Sequence, residues 1–138
     1  YEMGLGWTVN LDKQGYFVGR RALEREHREG SSWQLAGLEI DWEGLEREYA
    51  AVGMPPQVPA SAVRGSIPVY AGPRQVGYAS TSTWSPVLKK YIALVHLQQP
   101  YFTPGTKVEI EVTVEHHRRK SPATVVKLPF YDPEWKKK

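Results

Sequence analysis

Hydrophobic and polar positions alternate most regularly near the C-terminal end of the chain. Residues 107–115 (KVEIEVTVE) place four branched apolar side chains on one face and charged or polar side chains on the other. This period of two is typical of a strand with one buried face. Residues 91–97 (YIALVHL) form a nearly continuous apolar run, which predicts a strand buried on both faces. We expect the stretch 76–97, which leads into this strand through a Ser/Thr turn and Pro86, to organise the sheet.

Further short strands surround this stretch. They are predicted at residues 33–40, 67–70, 75–79 and 123–128. A Gly-Pro turn at residues 71–74 joins two of them into a hairpin, and the basic run at 116–120 turns the chain back toward the last one. About six strands at short spacing with no helix between them predict a small antiparallel barrel or sandwich.

The pattern upstream is different. Residues 5–11 (LGWTVNL) alternate and predict one strand with a half-buried face, while residues 19–29 predict a surface helix that ends at Gly30. The polar residues 30–32 then mark a boundary between two units. Residues 41–62 hold Met-Pro-Pro-Gln-Val-Pro and are predicted to form a long surface loop, with room for one helical turn.

Composition and charge exclude several classes of protein for this chain. With 138 residues, 41% hydrophobic and 24% charged, the chain is typical of a single globular domain and has no apolar run of the roughly 20 residues that span a bilayer. The absence of cysteine excludes disulfides and thiolate metal sites and fits a reducing compartment. The net charge of +3 comes from clusters that are typical of solvated turns and tails, so a nucleic-acid partner is not expected. The chain begins at Tyr1 without methionine, inside apolar sequence, which predicts a fragment of a longer protein.

Catalytic motifs are missing, so we assign no catalytic residue. His116 and His117 are adjacent and would face opposite sides of a strand, so no metal site is predicted. His96 lies in an apolar strand and is interpreted as structural. Trp7 either packs in a core or offers an aromatic face to a flat heterocycle. Arg64 precedes a strand and either faces solvent or holds a carboxylate through two parallel hydrogen bonds.

The order of several short motifs resembles the C-terminal part of the glycine cleavage T-protein (aminomethyltransferase) family. The chain reads Leu-Gly-Trp-Thr-Val at residues 5–9, Phe-Val-Gly-Arg at 17–20 and Leu-Ala-Gly-Leu at 35–38. It continues with Val-Gly at 76–77, Ser-Pro at 85–86, Ile-Ala-Leu at 92–94 and Pro-Phe-Tyr at 129–131. The resemblance extends over nearly the whole chain.

The resemblance implies a mainly β fold. In the family's fold, residues 1–30 would be the end of the central folate-binding domain, a strand and a helix that lead into the barrel. Residues 31–138 would form the C-terminal antiparallel six-stranded barrel, of Greek-key or jelly-roll-like type. It implies transfer of a one-carbon unit from an amine-bearing substrate to tetrahydrofolate. The expected folate contacts are Trp7, Arg64, Tyr131 and Trp135.

The same resemblance implies partners and a compartment. The catalytic aspartate of the family lies in its N-terminal half, which becomes the expected partner of this chain, together with a lipoyl carrier protein. The chain alone would be inactive, and the expected location is cytoplasmic, or the mitochondrial matrix in a eukaryote. Two alternatives remain open: a folate-linked demethylase or dimethylglycine–sarcosine dehydrogenase-type domain, and a stand-alone barrel that binds acidic polymers.

Overall fold

The computed structural model describes residues 1–59 and 61–137. Its helices are α1 (Arg20–Glu29) and α2 (Trp42–Ala50), and short 3₁₀ helices lie at Gly6–Thr8 and Glu134–Lys137. Its strands are β1 (Trp33–Ile40), β2 (Val63–Ala71), β3 (Arg74–Ser85), β4 (Lys90–Gln98), β5 (Lys107–Val114) and β6 (His117–Val126). Neither α1 nor α2, nor either 3₁₀ helix, has the length and apolar character of a bilayer-crossing helix.

The six strands close an antiparallel barrel in the order β1–β4–β3–β2–β5–β6. β1 lies between β4 and β6 and closes the barrel, with Leu38 paired to Ala93 on one side and to Val125 on the other. The contact between β2 and β5 is the shortest, with only two residue pairs, Val69↔Ile110 and Tyr70↔Glu109. The predicted mainly β fold with a six-stranded antiparallel barrel is confirmed.

The core lies inside the barrel because alternate residues of each strand point inward. Leu38, Val69, Val95, Leu97 and Ile110 are fully buried there. Each such side chain contributes about 1.5–3 kcal/mol relative to an exposed position. β4 shows the alternation clearly, since its inward positions are buried and the intervening positions are half-buried. The prediction that this strand is buried on both faces therefore holds for its inner face, while its outer face is only half-buried.

Helix α2 covers part of the barrel wall and changes the interpretation of residues 41–62. Asp41 caps the helix, its carboxylate accepting a hydrogen bond from the Gly44 N–H at 3.2 Å. Leu45 and Tyr49 pack with Val114 of β5 in a second small core. The prediction of a 20-residue loop was wrong for its first half, because the cap and the two apolar positions one helical turn apart stabilise a helix.

Three other predictions need correction. Residues 5–11 form no strand but a 3₁₀ helix at Gly6–Thr8, because the described residues offer this alternating stretch no ladder partner. The Ser/Thr stretch 80–85 is not a turn but the end of β3, which has a bulge at Ser80. The basic run is not a turn either, since His117–Val126 forms β6 and the reversal occurs at Glu115 and His116, both with positive φ.

Candidate functional site

Residues 1–32, which we call the lead-in, have no core of their own. None of them is buried. Large apolar side chains are instead exposed, to fractions of 48% for Met3, 52% for Leu5, 84% for Trp7, 74% for Tyr16 and 94% for Val18. Five of the eight large apolar residues that are exposed in the described part of the chain lie in this segment. The lead-in is thus suited to contact with another molecule or another part of a protein.

The first residues of the lead-in are attached to the barrel. The Leu35 N–H of β1 donates a hydrogen bond to the Glu2 carbonyl at 2.8 Å. On β4, His96 has its Nδ1 3.2 Å from the Tyr78 hydroxyl and its Nε2 3.1 Å from the Met3 Sδ. A Glu2 carboxylate oxygen lies 3.6 Å from the same Nε2. These contacts agree with the structural interpretation of His96 and hold the exposed surface beside the barrel.

A cleft of about 760 Å³, which we call the barrel cleft, opens beside this attachment. Its lining is mostly apolar and comes from the lead-in, β1, the connection after β4, the last residue of β6 and the segment that follows it: Met3, Gly4, Gln34, Leu35, Ala36, Phe102, Thr103, Pro104, Val126, Lys127, Leu128, Pro129 and Phe130. The volume falls in the range of small-molecule sites. Lys127 gives the lining one positive charge, and no carboxylate is among these lining residues.

Trp7 lies in the 3₁₀ helix of the lead-in and not in a strand. Its side chain is 84% exposed in this chain, which leaves the indole face open among the described residues. It lines a second cleft, of about 560 Å³, whose polar side chains are Tyr1, Asn10, Asp12 and His27. The two clefts share the segment 1–4, because Tyr1 lines the second and Met3 lines the first.

The other three predicted site residues lie elsewhere. Arg64 is exposed on β2, where it pairs with Thr81 of β3, so it lies within a strand and not before one. Tyr131 and Trp135 follow β6 and have exposed fractions of 47% and 66%. None of these three residues lines either of the two clefts, and the structure therefore does not assemble the four predicted residues into one site.

Sequence reasoning missed the barrel cleft. The nearest signal in the sequence is Pro-Phe-Tyr at residues 129–131; Tyr131 is the predicted contact, whereas Phe130 lines the cleft. Phe130 also covers Gly37 of β1 so closely that a Cβ at Gly37 would lie 2.7 Å from its ring. No local pattern shows which of two adjacent aromatic residues turns toward the barrel. Both clefts offer binding surface, and their lining residues form no nucleophile–base pair.

The fold defines a closed antiparallel barrel domain that carries an exposed N-terminal lead-in. The family model described as "Glycine cleavage T-protein C-terminal barrel domain" matches residues 47–132, more than half of the chain. The chain belongs to this family.

Two relatives and one solved structure extend the match. The chain is 33% identical over 131 residues to an aminomethyltransferase of Prochlorococcus marinus (strain NATL2A), covering 95% of this chain and 30% of that protein. It is 31% identical to an aminomethyltransferase of Bacillus pumilus (strain SAFR-032), covering 94% and 30%. The chain thus spans about a third of the length of these relatives.

The crystal structure of glycine cleavage system aminomethyltransferase T from Bartonella henselae superposes with a TM-score of 0.68 at 17% identity. The superposition covers 94% of this chain and 31% of that one. At this identity the superposition shows a shared fold.

Proposed function

We propose that the chain is the C-terminal portion of a tetrahydrofolate-dependent aminomethyltransferase, which transfers a one-carbon unit from an amine-bearing substrate to tetrahydrofolate. Membership of the T-protein barrel family and the names of the two relatives support this activity. The same names favour it over the demethylase and dimethylglycine–sarcosine dehydrogenase alternatives. Since the chain spans about 30% of the first of these relatives, we place the catalytic groups in the remaining part and expect this chain alone to be inactive.

The exposed lead-in carries the proposal. It has no buried residue, it exposes five large apolar side chains, and it is held against the barrel through Glu2 and Met3. The N-terminal part of the same enzyme would cover this surface, and burial of apolar area would drive that contact. Trp7 would then line the folate cavity, with the barrel closing one side of it.

The surroundings of Trp7 fit one face of a reduced folate. The indole is a flat ring that is 84% exposed, and pterin and benzoyl groups are flat rings that stack on such a face. Asn10, Asp12 and His27 in the same cleft supply hydrogen-bonding groups for the polar edge of a pterin. Bound tetrahydrofolate supplies the nitrogen atoms that accept the one-carbon unit, while the lead-in binds and orients it.

We propose three further contacts with folate and one partner protein. Arg64 is exposed and free to reach a folate carboxylate with its guanidinium, and Tyr131 and Trp135 offer partly exposed aromatic rings. A lipoyl carrier protein is the proposed donor partner. The cysteine-free sequence is consistent with the proposed cytoplasmic location, or a mitochondrial matrix in a eukaryote.

The structure adds no support to the acidic-polymer alternative. Arg118 Nε lies 3.7 Å from a Glu111 carboxylate oxygen, and Lys120 Nζ lies 3.7 Å from one of Glu109. Two of the cations in the basic run therefore face glutamates of β5. Fewer cations are left to contact phosphates or other anions.

Calorimetric titration with tetrahydrofolate tests the proposal. We expect no saturable heat with the 138-residue chain and saturable binding with the complete protein. In the complete protein, Trp7→Ala should weaken binding about tenfold, the scale of one lost aromatic stack, and Trp7→Phe should restore most of it. Val87→Ala, an exposed apolar residue outside the lead-in, is the matched control and should change nothing.

The outcomes separate the parts of the proposal. A complete protein that does not bind tetrahydrofolate would overturn the function itself. Saturable binding to the 138-residue chain would show a folate site within these residues and would contradict the need for the remaining part. Unchanged affinity in Trp7→Ala would remove Trp7 from the cavity.

A further inference from the structure

The barrel wall has an opening between β2 and β5, far in sequence from the lead-in. These strands pair only through Val69↔Ile110 and Tyr70↔Glu109. The pairing stops at Pro68, which has no N–H to donate, and β2 has a register shift between Arg64 and Ile67. Beyond this point a cleft of about 390 Å³ lies between the two strands. We call it the seam cleft. It shares no residue with the barrel cleft or with the second cleft, which Trp7 lines.

Polar groups in defined orientations line the seam cleft. Ser82 is buried and its Oγ lies 3.2 Å from the Tyr91 hydroxyl. The Tyr49 hydroxyl of α2 donates a hydrogen bond to the Gln57 carbonyl at 3.3 Å, so the segment after the helix is held over the cleft. Apolar side chains, including Ile67, form much of the rest. A half-enclosed apolar cleft with a few convergent polar groups is typical of a small-molecule site.

Glu111 gives the seam cleft its charge. Its side chain is only 15% exposed, and no lysine or arginine is among the residues that line the cleft. One oxygen accepts a hydrogen bond from the Tyr70 hydroxyl at 3.2 Å, and the other lies 3.7 Å from Arg118 Nε. Arg118 is 80% exposed at its side chain, so solvent screens this ion pair. Burial, and then the hydrogen bond to Glu111, raise the pKa of Tyr70, which remains a neutral donor at pH 7.

A largely covered carboxylate is costly unless a cation compensates it. Tyr70 donates a hydrogen bond to Glu111 but carries no charge, and Arg118 Nε lies 3.7 Å from the other oxygen. Lys120 is the cross-strand neighbour of Glu111, with its Nζ over the Tyr70 ring. A cationic ligand in the cleft would therefore compete with these two cations for the carboxylate. We propose that the seam cleft binds a small organic cation, a primary amine with a short apolar body. The ammonium group would pair with Glu111, and the apolar body would lie against Ile67 and Val112.

An NMR titration of the isotope-labelled 138-residue chain with n-butylamine tests this site. We expect saturable shifts of backbone amides confined to residues that line the seam cleft. n-Butanol and pentanoate have the same butyl chain without the positive charge, and both should bind at least about tenfold more weakly. Equal shifts with butylamine and butanol, or no saturable shift up to about 10 mM butylamine, would overturn the proposal.

Two variants assign the effect to one carboxylate. Glu111→Gln should weaken butylamine binding about tenfold. Glu109→Gln is the matched control, since Glu109 lies on the same strand with a cation, Lys120, also at 3.7 Å, but does not line the cleft. Binding should be unchanged there. An equal loss in both variants would indicate a general charge effect and contradict the site.

Arg118→Gln provides a test of opposite sign that does not require Glu111 to be altered. Removing the guanidinium frees Glu111 from one competing cation, so butylamine should bind more tightly. Unchanged or weaker binding in this variant would contradict the role of Glu111. Because Arg118 is exposed, we expect this variant to keep its fold even if Glu111→Gln does not.

Discussion

Gly77 in β3 lies where the barrel has no room for a side chain. It pairs with Leu97 of β4 and is buried. A Cβ at this position would lie 2.1 Å from the His96 carbonyl oxygen, 2.7 Å from Leu97 Cδ2 and 3.0 Å from Leu97 Cα. Two of these three atoms belong to the backbone and cannot rotate away. We therefore expect Gly77→Ala to force β3 and β4 apart.

The magnitude follows from the contacts. To restore ordinary contact, the strands must separate by about 1 Å at this pair, which strains the ladder hydrogen bonds on either side. Each lost bond costs about 1 kcal/mol, and overpacking a tight core adds about 1–3 kcal/mol. We expect a loss of about 3–5 kcal/mol in the free energy of unfolding. For a chain of this size that corresponds to a fall in Tm of about 10 °C or more.

Urea denaturation followed by circular dichroism gives the measurement. The matched control is Gly65→Ala on β2, where a Cβ would meet no atom within 4 Å and φ is not positive. There the loss of chain entropy in the unfolded state should leave stability unchanged or raise it by about 0.5 kcal/mol. If Gly77→Ala lost less than about 1 kcal/mol, or no more than Gly65→Ala, steric exclusion at this strand pair would be refuted.

Two further predictions concern buried hydroxyls and alkaline pH. Ser121 is fully buried and its Oγ has no hydrogen-bond partner among the described residues, so Ser121→Ala should stabilise the protein by about 1 kcal/mol in urea unfolding. Ser82→Ala loses the contact with the Tyr91 hydroxyl and should destabilise the protein by a similar amount. If Ser121→Ala destabilised the protein, the Ser121 hydroxyl would be satisfied. Burial and Glu111 raise the pKa of Tyr70 in the folded protein above its ordinary value of 10.0. As pH rises, the unfolded chain therefore loses this proton before the folded protein does. The contribution of Tyr70 to the free energy of unfolding is fully present below pH 10.0 and should be lost as pH rises beyond it. Between about pH 9 and about pH 11, the midpoint of urea unfolding should fall less in Tyr70→Phe than in the unsubstituted protein. An equal fall in both proteins would contradict this role of Tyr70.

Strand and helix identity followed from local periodicity in much of the chain. β1 matches its predicted bounds, β5 differs from its prediction by one residue, and α1 ends at the predicted glycine. An alternating pattern determines which side chains share a face, and this geometry depends only on the backbone period. The spacing of the strands predicted about six of them in an antiparallel barrel or sandwich, and the resemblance to the family implied the barrel.

The pairing of strands and the burial of side chains were determined only by the tertiary structure. Residues 5–11 alternate as a strand does, yet they form a 3₁₀ helix because no strand lies beside them in the described residues. The sequence before and within residues 42–50 carries a helix signal, Asp41 followed by Leu45 and Tyr49 one turn apart, but Val114, which packs against these two side chains, comes from a distant strand. The 84% exposure of Trp7 likewise could not be read from its neighbours in sequence.

The candidate site residues divide likewise into those that the sequence can name and those that only the fold brings together. Trp7 and Arg64 were named from sequence because their chemistry is visible in a single residue. The barrel cleft and the seam cleft were not, because each is lined by residues from several elements that meet only when the barrel closes. Glu111 shows the difference: on a one-sided strand it reads as a solvated charge, and the short β2–β5 pairing places it in a cleft with 15% of its side chain exposed. A sequence determines periodicity, capping and turn chemistry along the chain, whereas burial and electrostatic environment depend on neighbours that the fold brings from distant positions.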